Sequence, residues 1–223
     1  VKADSIPDGP YTEQQGAMKV TGYYLDNLKT GNWVTYFKSG QINIVEYYES
    51  GMKNGLYLKI DKRGYIVQQA SYLDDKLSGK KVVFKVGGKI KSAENYKNGL
   101  LDGLKIVYYN RGKKQEESNY KSGEKNGIAS WYNTEGKLIA KYNYKDGIFD
   151  GLQQTFYAND TLRSEKTYEN DVLIGISHEY FENGKIKMEG SYKNGLKNGK
   201  WLEFNEEGVL VKTTKFKKGE AVN

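Results

Sequence analysis

The sequence predicts an all-β protein, an elongated single-layer antiparallel meander of about eight β-hairpin repeats, each 24 residues long. The first observation behind this is a glycine that recurs every 24 residues without insertion or deletion, at Gly31, Gly55, Gly79, Gly103, Gly127, Gly151, Gly175 and Gly199. The second is an aromatic residue 17 positions after each glycine, at Tyr48, Tyr72, Tyr96, Tyr120, Tyr144, Tyr168, Tyr192 and Phe216. A fixed period of this length indicates a repeat architecture in which neighbouring units bury one another.

Two turn signals divide every unit into two short strands. The opening turn carries Gly, Asn or Asp, the residue types that best tolerate a positive φ, at Asn27, Gly51, Asp75, Gly99, Gly123, Gly147, Asp171 and Gly195. The second turn ends at Gly40, Gly64, Gly88, Gly112, Gly136, Asp160, Gly184 and Gly208. Because short turns join strands of about seven residues at both ends, neighbouring strands must run antiparallel.

Alternation of side chains along each strand predicts one buried face and one opposite face. We expect the buried face to carry the Tyr48 series, the Ile42 series of the second strand, and a first-strand row at Tyr36, Ile60, Phe84, Tyr108, Tyr132, Phe156, Tyr180 and Phe204. On the opposite face we expect eight candidate partner-binding residues, Trp33, Phe37, Tyr57, Tyr109, Trp131, Tyr157, Phe181 and Trp201. Two interpretations of these rings stay open: cross-strand packing that covers a thin sheet, or a strip that docks a protein or a glycan.

The period also sets the domain boundaries. We expect residues 1–15, with Pro7 and Pro10, to be a leader or an N-terminal cap, residues 16–219 to form the repeat array, and residues 220–223 to be a C-terminal tail. The chain begins with Val rather than Met, which favours an exported protein, in the periplasm, in the cell envelope or secreted, over a cytoplasmic one. The absence of cysteine excludes disulfides, thiolate metal sites and cysteine nucleophiles.

The sequence does not predict an enzyme, a cofactor or a metal site. His178 is the only histidine, and it takes the place of Val34 and Leu58 in sister units, which is typical of an ordinary strand residue. A metal site needs several ligands at recognisable spacing, and no such spacing exists around this histidine. The paired glycines belong to turns and not to a phosphate loop between a strand and a helix.

A family resemblance accompanies this pattern. The chain resembles the MORN-repeat variant of many bacterial proteins in segments such as YKNGLKNGKWLEFNEEGVL, YKSGEKNGIASWYNTEGKL and YKNGLLDGLKIVYYNRGKK. The resemblance covers nearly the whole chain and implies a twisted sheet of successive hairpins. It also implies roles known in this group: antitoxin or immunity-like components, envelope or secreted proteins, protein scaffolds, and phospholipid contact. The chain departs from the pattern in that a Trp follows the common glycine by two residues only at Trp33 and Trp201.

The predicted function is a non-catalytic scaffold for protein–protein interaction, which includes an antitoxin or immunity-like role. The alternatives are a carbohydrate or cell-wall binding module that uses the aromatic rings, and docking on an anionic membrane surface through scattered lysines. The low number of tryptophans, three in the whole chain, favours a protein partner over a glycan. The net charge of +7 is spread through all the repeats, so we expect no specific binding of nucleic acid.

Overall fold

The structure is a computed structural model that describes residues 6–222, and the chain divides into two compact units, Val1–Gly112 and Lys113–Asn223. The strands of the first unit are β1 (Gly9–Gln15), β2 (Met18–Leu25), β3 (Leu28–Tyr36), β4 (Ile42–Glu49), β5 (Met52–Ile60), β6 (Ile66–Leu73), β7 (Lys76–Leu77), β8 (Gly79–Phe84), β9 (Ile90–Lys97), β10 (Leu100–Leu101) and β11 (Gly103–Tyr108). The strands of the second unit are β12 (Lys114–Lys121), β13 (Glu124–Tyr132), β14 (Leu138–Lys145), β15 (Ile148–Phe149), β16 (Gly151–Phe156), β17 (Leu162–Glu169), β18 (Val172–Tyr180), β19 (Ile186–Lys193), β20 (Leu196–Phe204), β21 (Leu210–Lys217) and β22 (Glu220–Val222).

Each unit is an antiparallel meander, in which successive strands are neighbours in the sheet. The pairs β7 and β8, β10 and β11, and β15 and β16 are each two segments of one interrupted strand, because both segments pair with the same preceding strand. In the first unit the pairing runs from β1 to β6, then through β7 and β8 to β9, and on to β10 and β11. The second unit repeats this order from β12 to β22. The predicted all-β meander of hairpins is therefore confirmed in both units. The part of the chain that the structure describes contains no helix that is long and apolar enough to cross a membrane.

The turns form where the sequence places them. Between hairpins, both central residues of each two-residue turn have positive φ, as at Asp26 (52°) with Asn27 (59°) and at Ser50 (49°) with Gly51 (82°). Two consecutive positive φ values are the signature of a type I′ turn, whose twist matches that of the flanking strands. Within hairpins, the Gly40 N–H donates to the Phe37 carbonyl at 2.9 Å, and equivalent bonds recur along both units.

The common glycine lies at a bulge in the first strand of each hairpin. Thr30 pairs with Tyr23 and Val34 with Thr21, so three residues of β3 lie opposite one residue of β2. Gly31 takes a φ of 66° at this bulge, and all seven equivalent glycines also have positive φ. Such a backbone costs an L-residue free energy that glycine avoids, which explains the strict period.

A second bulge decides which side chains share a face. Thr35 pairs with Ile44 but Tyr36 pairs with Ile42, so Asn43 is an extra residue in β4. Strict alternation therefore fails between Ile42 and Tyr48, and the expectation that these two series share a face is wrong. The pairs Gly31–Tyr48 and Trp33–Glu46 place Trp33 on the same face as Tyr48. We call the face that carries Trp33, Tyr48 and the residues 24 positions apart from them the ring face of each unit.

The core of both units lies on the ring face. The buried apolar residues are Trp33, Tyr48, Ala70, Ala129 and Trp201. Trp33, Ala129 and Trp201 share one repeat position, Tyr48 occupies a second, and Ala70 pairs with Tyr57, which is equivalent to Trp33. On the opposite face, the Tyr36 row and its aliphatic neighbours stay half-buried. This distribution fits a single layer of sheet, where small and large side chains must cover each other laterally.

The segments on both sides of the predicted array also contain strands. β1 pairs along its whole length with β2, from Gly9–Tyr24 to Gln15–Met18, and β22 pairs with β21. The division into leader or cap, array and tail stays a prediction, and residues 1–5 and 223 of it lie outside the described residues.

Candidate functional site

The eight rings predicted as a partner-binding strip occupy two different kinds of position. Trp33, Tyr57, Trp131 and Trp201 lie in strands on the ring face, together with the Tyr48 series, whereas the other four lie where the first strand enters its hairpin turn. All eight side chains are buried or half-buried. The expectation that they lie opposite the core is therefore wrong, because it ran strict alternation through the bulge at Asn43 and its equivalents.

Trp33 and Trp201 belong to the core. Their exposures are 3% and 5%, so neither ring is available to a partner. Trp33 contacts Tyr11, Tyr24 and Tyr48, with ring centroids 5.1–6.0 Å apart. Trp201 contacts Tyr192 and Phe216, at 5.1 and 6.1 Å, and its indole N–H donates to the Ser191 carbonyl at 3.2 Å. These clusters support the interpretation of cross-strand packing for both tryptophans.

Glycines on the neighbouring strands explain why only these two units carry a tryptophan at this position. A Cβ at Gly22 would lie 2.3 Å from two atoms of the Trp33 ring, and one at Gly190 would lie 2.2 Å from the Trp201 ring. The equivalent residues facing the other units are larger, such as Tyr142 beside Gln153 and Lys166 beside Ser177. At these positions a large side chain on one strand therefore faces a smaller one on its neighbour.

Lysine side chains cover several of the rings. The Nζ of Lys29 lies 4.2 Å from the Trp33 centroid, that of Lys125 lies 4.6 Å from Trp131, and that of Lys197 lies 4.1 Å from Trp201. A cation over an aromatic face is attracted to it and shields the ring from solvent. The ring face therefore presents ammonium groups, rather than bare rings, at these places.

A row of exposed aliphatic residues lies on the opposite face, at the margin next to the turns between hairpins. In the second unit this row has six branched members with exposures of 36–62%, and we call it the aliphatic strip: Ile128, Ile148, Leu152, Val172, Ile176 and Leu196. Leu28, Met52, Leu56 and Leu100, which are 40–51% exposed, occupy equivalent positions in the first unit. Pairing supports the assignment to one face, because Ile128, Leu152 and Ile176 pair with Asn143, Thr167 and Ser191, which are 24 residues apart.

Sequence reasoning missed this strip because it searched for aromatic residues. The available signal was the recurrence of an aliphatic side chain three residues before and one residue after the common glycine, as in Ile148 and Leu152 around Gly151. The two positions are four residues apart, so alternation along the strand places both on the same face. A search for aliphatic residues at these two positions would have predicted the strip.

Asparagines fix the backbone beneath part of the strip. Asn119 donates from its side-chain amide to the Ile128 carbonyl at 3.2 Å, and Asn143 donates in the same way to the Leu152 carbonyl. Asn95 makes the same bond to Leu104 in the first unit, at 2.7 Å. These bonds satisfy carbonyls that the bulge leaves out of the regular ladder. The strip therefore rests on a defined backbone.

His178 lies on the face that carries the strip, between two carboxylates. Its Nδ1 is 3.2 Å from Glu165 Oε1 and its Nε2 is 3.7 Å from Glu189 Oε2, while the Tyr180 hydroxyl donates to Glu165 Oε1 at 2.8 Å. The imidazole is 26% exposed, which fits a partly exposed strand residue. Within residues 6–222, no cluster of three or more His, Asp or Glu residues has the arrangement needed to hold a metal ion.

Two tyrosines stay protonated well into the alkaline range. Burial, then the hydrogen bond to Glu94 at 2.8 Å and the charge of that carboxylate, raise the pKa of Tyr96 to about 12. Burial and the bond to Glu165 raise the pKa of Tyr180 to about 12 in the same way. Neither hydroxyl is poised to act as a base near neutral pH, since a base needs a pKa near the working pH.

The fold and its surface define a β-hairpin repeat protein. Four consecutive segments, residues 101–122, 125–146, 149–170 and 173–194, match the MORN repeat variant family, in the 24-residue phase of the common glycine. No curated protein matches the chain significantly. MORN repeats are a non-enzymatic repeat type that generally mediates protein or membrane-lipid interactions.

Proposed function

We propose that this protein is a non-catalytic repeat scaffold that binds another protein through the aliphatic strip of its second unit. The observation that carries the proposal is the alignment of six exposed branched aliphatic side chains on one face of the sheet. Single exposed apolar residues are normal on protein surfaces, whereas a contiguous apolar row marks an interaction site.

The surroundings of the strip resemble the rim of a protein interface. Lys145, Glu169 and Lys193, all exposed, pair with Ile148, Val172 and Leu196. An apolar centre with a polar rim of both charge signs is typical of protein–protein interfaces. Burying an exposed aliphatic side chain of this size contributes up to about 2 kcal/mol, and the rim charges supply orientation and specificity.

The same surroundings disfavour the two alternatives from the sequence. Sugar rings stack on flat aromatic surfaces, and the strip is aliphatic. A surface that docks on anionic lipid needs cations without intervening carboxylates, whereas Glu169 lies between the rows of Lys145 and Lys193. A protein partner is the class that these side chains fit best.

Two finer proposals rest on the family resemblance alone. We propose that the partner is a toxin-like protein, with this chain as its immunity-like component, and that the chain is exported. Cell fractionation of the source organism with an antibody to the protein tests the compartment, and a periplasmic, envelope or secreted location is the expected result. Co-expression with the captured partner in a growth assay tests the immunity role.

Site-specific photocrosslinking tests the strip. We expect a photoreactive amino acid at Ile176, which is 62% exposed, to form a saturable adduct in a lysate of the source organism, and excess unlabelled protein should abolish it. The matched control position is Val209, which is 59% exposed in a hairpin turn outside the strip and should give no such adduct. A Leu152→Lys change should also abolish the Ile176 adduct, because it places a charge in the apolar centre.

Two results would contradict the proposal. One is the absence of any saturable adduct at Ile176. The other is an identical set of adducts at Ile176 and Val209, which would indicate nonspecific contact. A third result would favour one of the alternative functions. In that case the unchanged protein would bind purified glycan or lipid vesicles, and the Leu152→Lys variant would not.

A further inference from the structure

The ring face of the second unit has a depression where the row of large rings is interrupted. Gln153 and Ser177 occupy the positions equivalent to Trp33 and Trp201, and both are buried. Two adjoining hollows of about 390 and 230 Å³ lie on this face. Gln153 lines the smaller one, and both have Thr155, Ser164 and Lys166 in their walls.

One end of the depression is aromatic. Tyr142, Phe149 and Tyr168 line the smaller hollow, and Phe149 packs between the two tyrosines with centroid separations of 5.6 and 5.4 Å. Packed rings of this kind form a rigid apolar wall. Their side chains are already ordered in the free protein, so ligand binding loses little further side-chain entropy.

The other end is basic and rich in hydroxyls. Arg163, Lys166 and Lys187 line the larger hollow, and Glu179, whose carboxylate is 3.7 Å from the Lys166 Nζ, is the acidic residue among the lining side chains. The Arg163 guanidinium lies 5.8 Å from the Tyr157 centroid and the Lys187 ammonium 5.7 Å from that of Phe181. Three cations against one carboxylate leave an excess of positive charge.

Two hydroxyls lie on the floor between the basic and aromatic ends. The Thr155 and Ser164 oxygens are 2.6 Å apart and hydrogen-bonded to each other. Each hydroxyl has one proton to donate and two lone pairs, so the pair retains capacity for a ligand hydroxyl. The depression thus combines cations, hydroxyls and an apolar wall within one surface.

We propose that this depression binds an acidic sugar, a uronic acid unit, with its carboxylate toward Arg163 and Lys187 and its pyranose ring against the aromatic wall. A guanidinium matches a planar carboxylate with two parallel hydrogen bonds. A guanidinium binds phosphate in the same way, but a free phosphate has no ring to pack against the aromatic wall. The proposal is independent of the aliphatic strip, which lies on the other face of the same sheet.

Titration of the ¹⁵N-labelled protein with D-glucuronate, D-glucose and inorganic phosphate tests the site. We expect glucuronate to shift the amide resonances of β16 to β19 and to bind roughly tenfold more tightly than glucose, because glucose lacks the carboxylate. Arg163→Gln and Lys187→Gln should each weaken glucuronate binding about tenfold, and Arg163→Lys, which keeps the charge but loses the bidentate geometry, should lie between. Lys200→Gln, an exposed position on the opposite face in β20, is the matched control and should bind like the unchanged protein.

Four outcomes would overturn the proposal: no glucuronate-dependent shift, equal affinity for glucuronate and glucose, phosphate binding at the same residues as tightly as glucuronate, or an equal loss in the Lys200→Gln variant. The spectra of the variants without ligand report their folding, so a failure to fold is distinguished from a loss of binding. Tyr168→Leu provides a second test, since it removes part of the ring wall and no charge. It should weaken both sugars by the same factor, and an unchanged affinity would equally contradict the assigned pose.

Discussion

Replacing Gly22 by alanine tests the packing of the ring face, because this glycine has an ordinary φ and its cost on substitution is purely steric. The added Cβ would lie 2.3 Å from the Cδ2 and Cε2 atoms of Trp33. Carbon atoms in favourable contact are about 3.5–4.0 Å apart, so the indole must move by roughly 1.2 Å. Tyr11, Tyr24 and Tyr48 surround the ring and oppose that movement.

The expected magnitude follows from two opposing terms. Overpacking a well-filled core costs about 1–3 kcal/mol. Alanine in place of glycine restricts the unfolded chain, which returns about 0.4–1 kcal/mol of stability. The steric term is larger, so we expect Gly22→Ala to lower the free energy of unfolding by about 2 kcal/mol. Gly190→Ala, with its Cβ 2.2 Å from Trp201, should cost a similar amount.

Fluorine NMR during urea denaturation gives a local readout. The chain has three tryptophans, so 5-fluorotryptophan labelling yields three resonances. Gly22→Ala should lower the urea midpoint reported by Trp33 by about 1 M. Gly190→Ala should act on the Trp201 resonance in the same way, because repeat arrays propagate destabilisation mainly to their neighbours.

A double-mutant cycle separates the steric cost from other effects. In a Trp33→Ala background, followed by circular dichroism, Gly22→Ala should lose most of its cost. Gly31→Ala is the control, because Gly31 lies two residues from the ring with a φ of 66° and open space around its Cβ position, so its cost is backbone strain. That cost should be the same with and without Trp33. A neutral Gly22→Ala, or one whose cost persists without the indole, would refute the reasoning.

Two further predictions concern a shifted pKa and a turn. Glu94→Gln should lower the pKa of Tyr96 from about 12, measured by ¹³C NMR of labelled tyrosine, because it removes the carboxylate that favours the protonated hydroxyl. Since the folded pKa lies above the unfolded value, this contribution to stability is present below pH 10 and is lost as the pH rises to about 12. Asn133→Ala should destabilise its hairpin turn by about 1 kcal/mol in urea titrations, because the Asn133 side chain accepts from the Glu135 and Lys137 N–H groups, both at 3.0 Å. An unchanged Tyr96 titration or urea midpoint would contradict these assignments.

Local conformation could be predicted from the sequence because residue type encodes it. Asn27 and Gly51 take positive φ at the turns between hairpins, and Gly31 takes it at the bulge. Gly, Asn and Asp are the residue types with the lowest cost there, so a period of these residues is a direct record of backbone geometry. The hairpins and their antiparallel order follow from the same signals.

The sorting of side chains between faces could not be predicted in the same way. A single extra residue, Asn43, separates the Ile42 side chain from the face of Tyr48, and no feature of the residue itself marks it as a bulge. The small size of Gly22 was visible, but its significance depends on a contact with Trp33 across the sheet. The error placed core tryptophans on a binding surface and left the aliphatic strip unnoticed.

Thiol labelling at two adjacent residues of β18 tests this sorting most directly. The chain has no cysteine, so Ile176→Cys and Ser177→Cys each introduce a single thiol, at positions that are 62% and 3% exposed. The account predicts that a maleimide reagent labels the Ile176→Cys variant quickly and the Ser177→Cys variant roughly 100-fold more slowly, since a buried thiol reacts only when the structure opens. Equal rates, or faster labelling of Ser177→Cys, would contradict the assignment of the ring face to the core and of the strip to solvent.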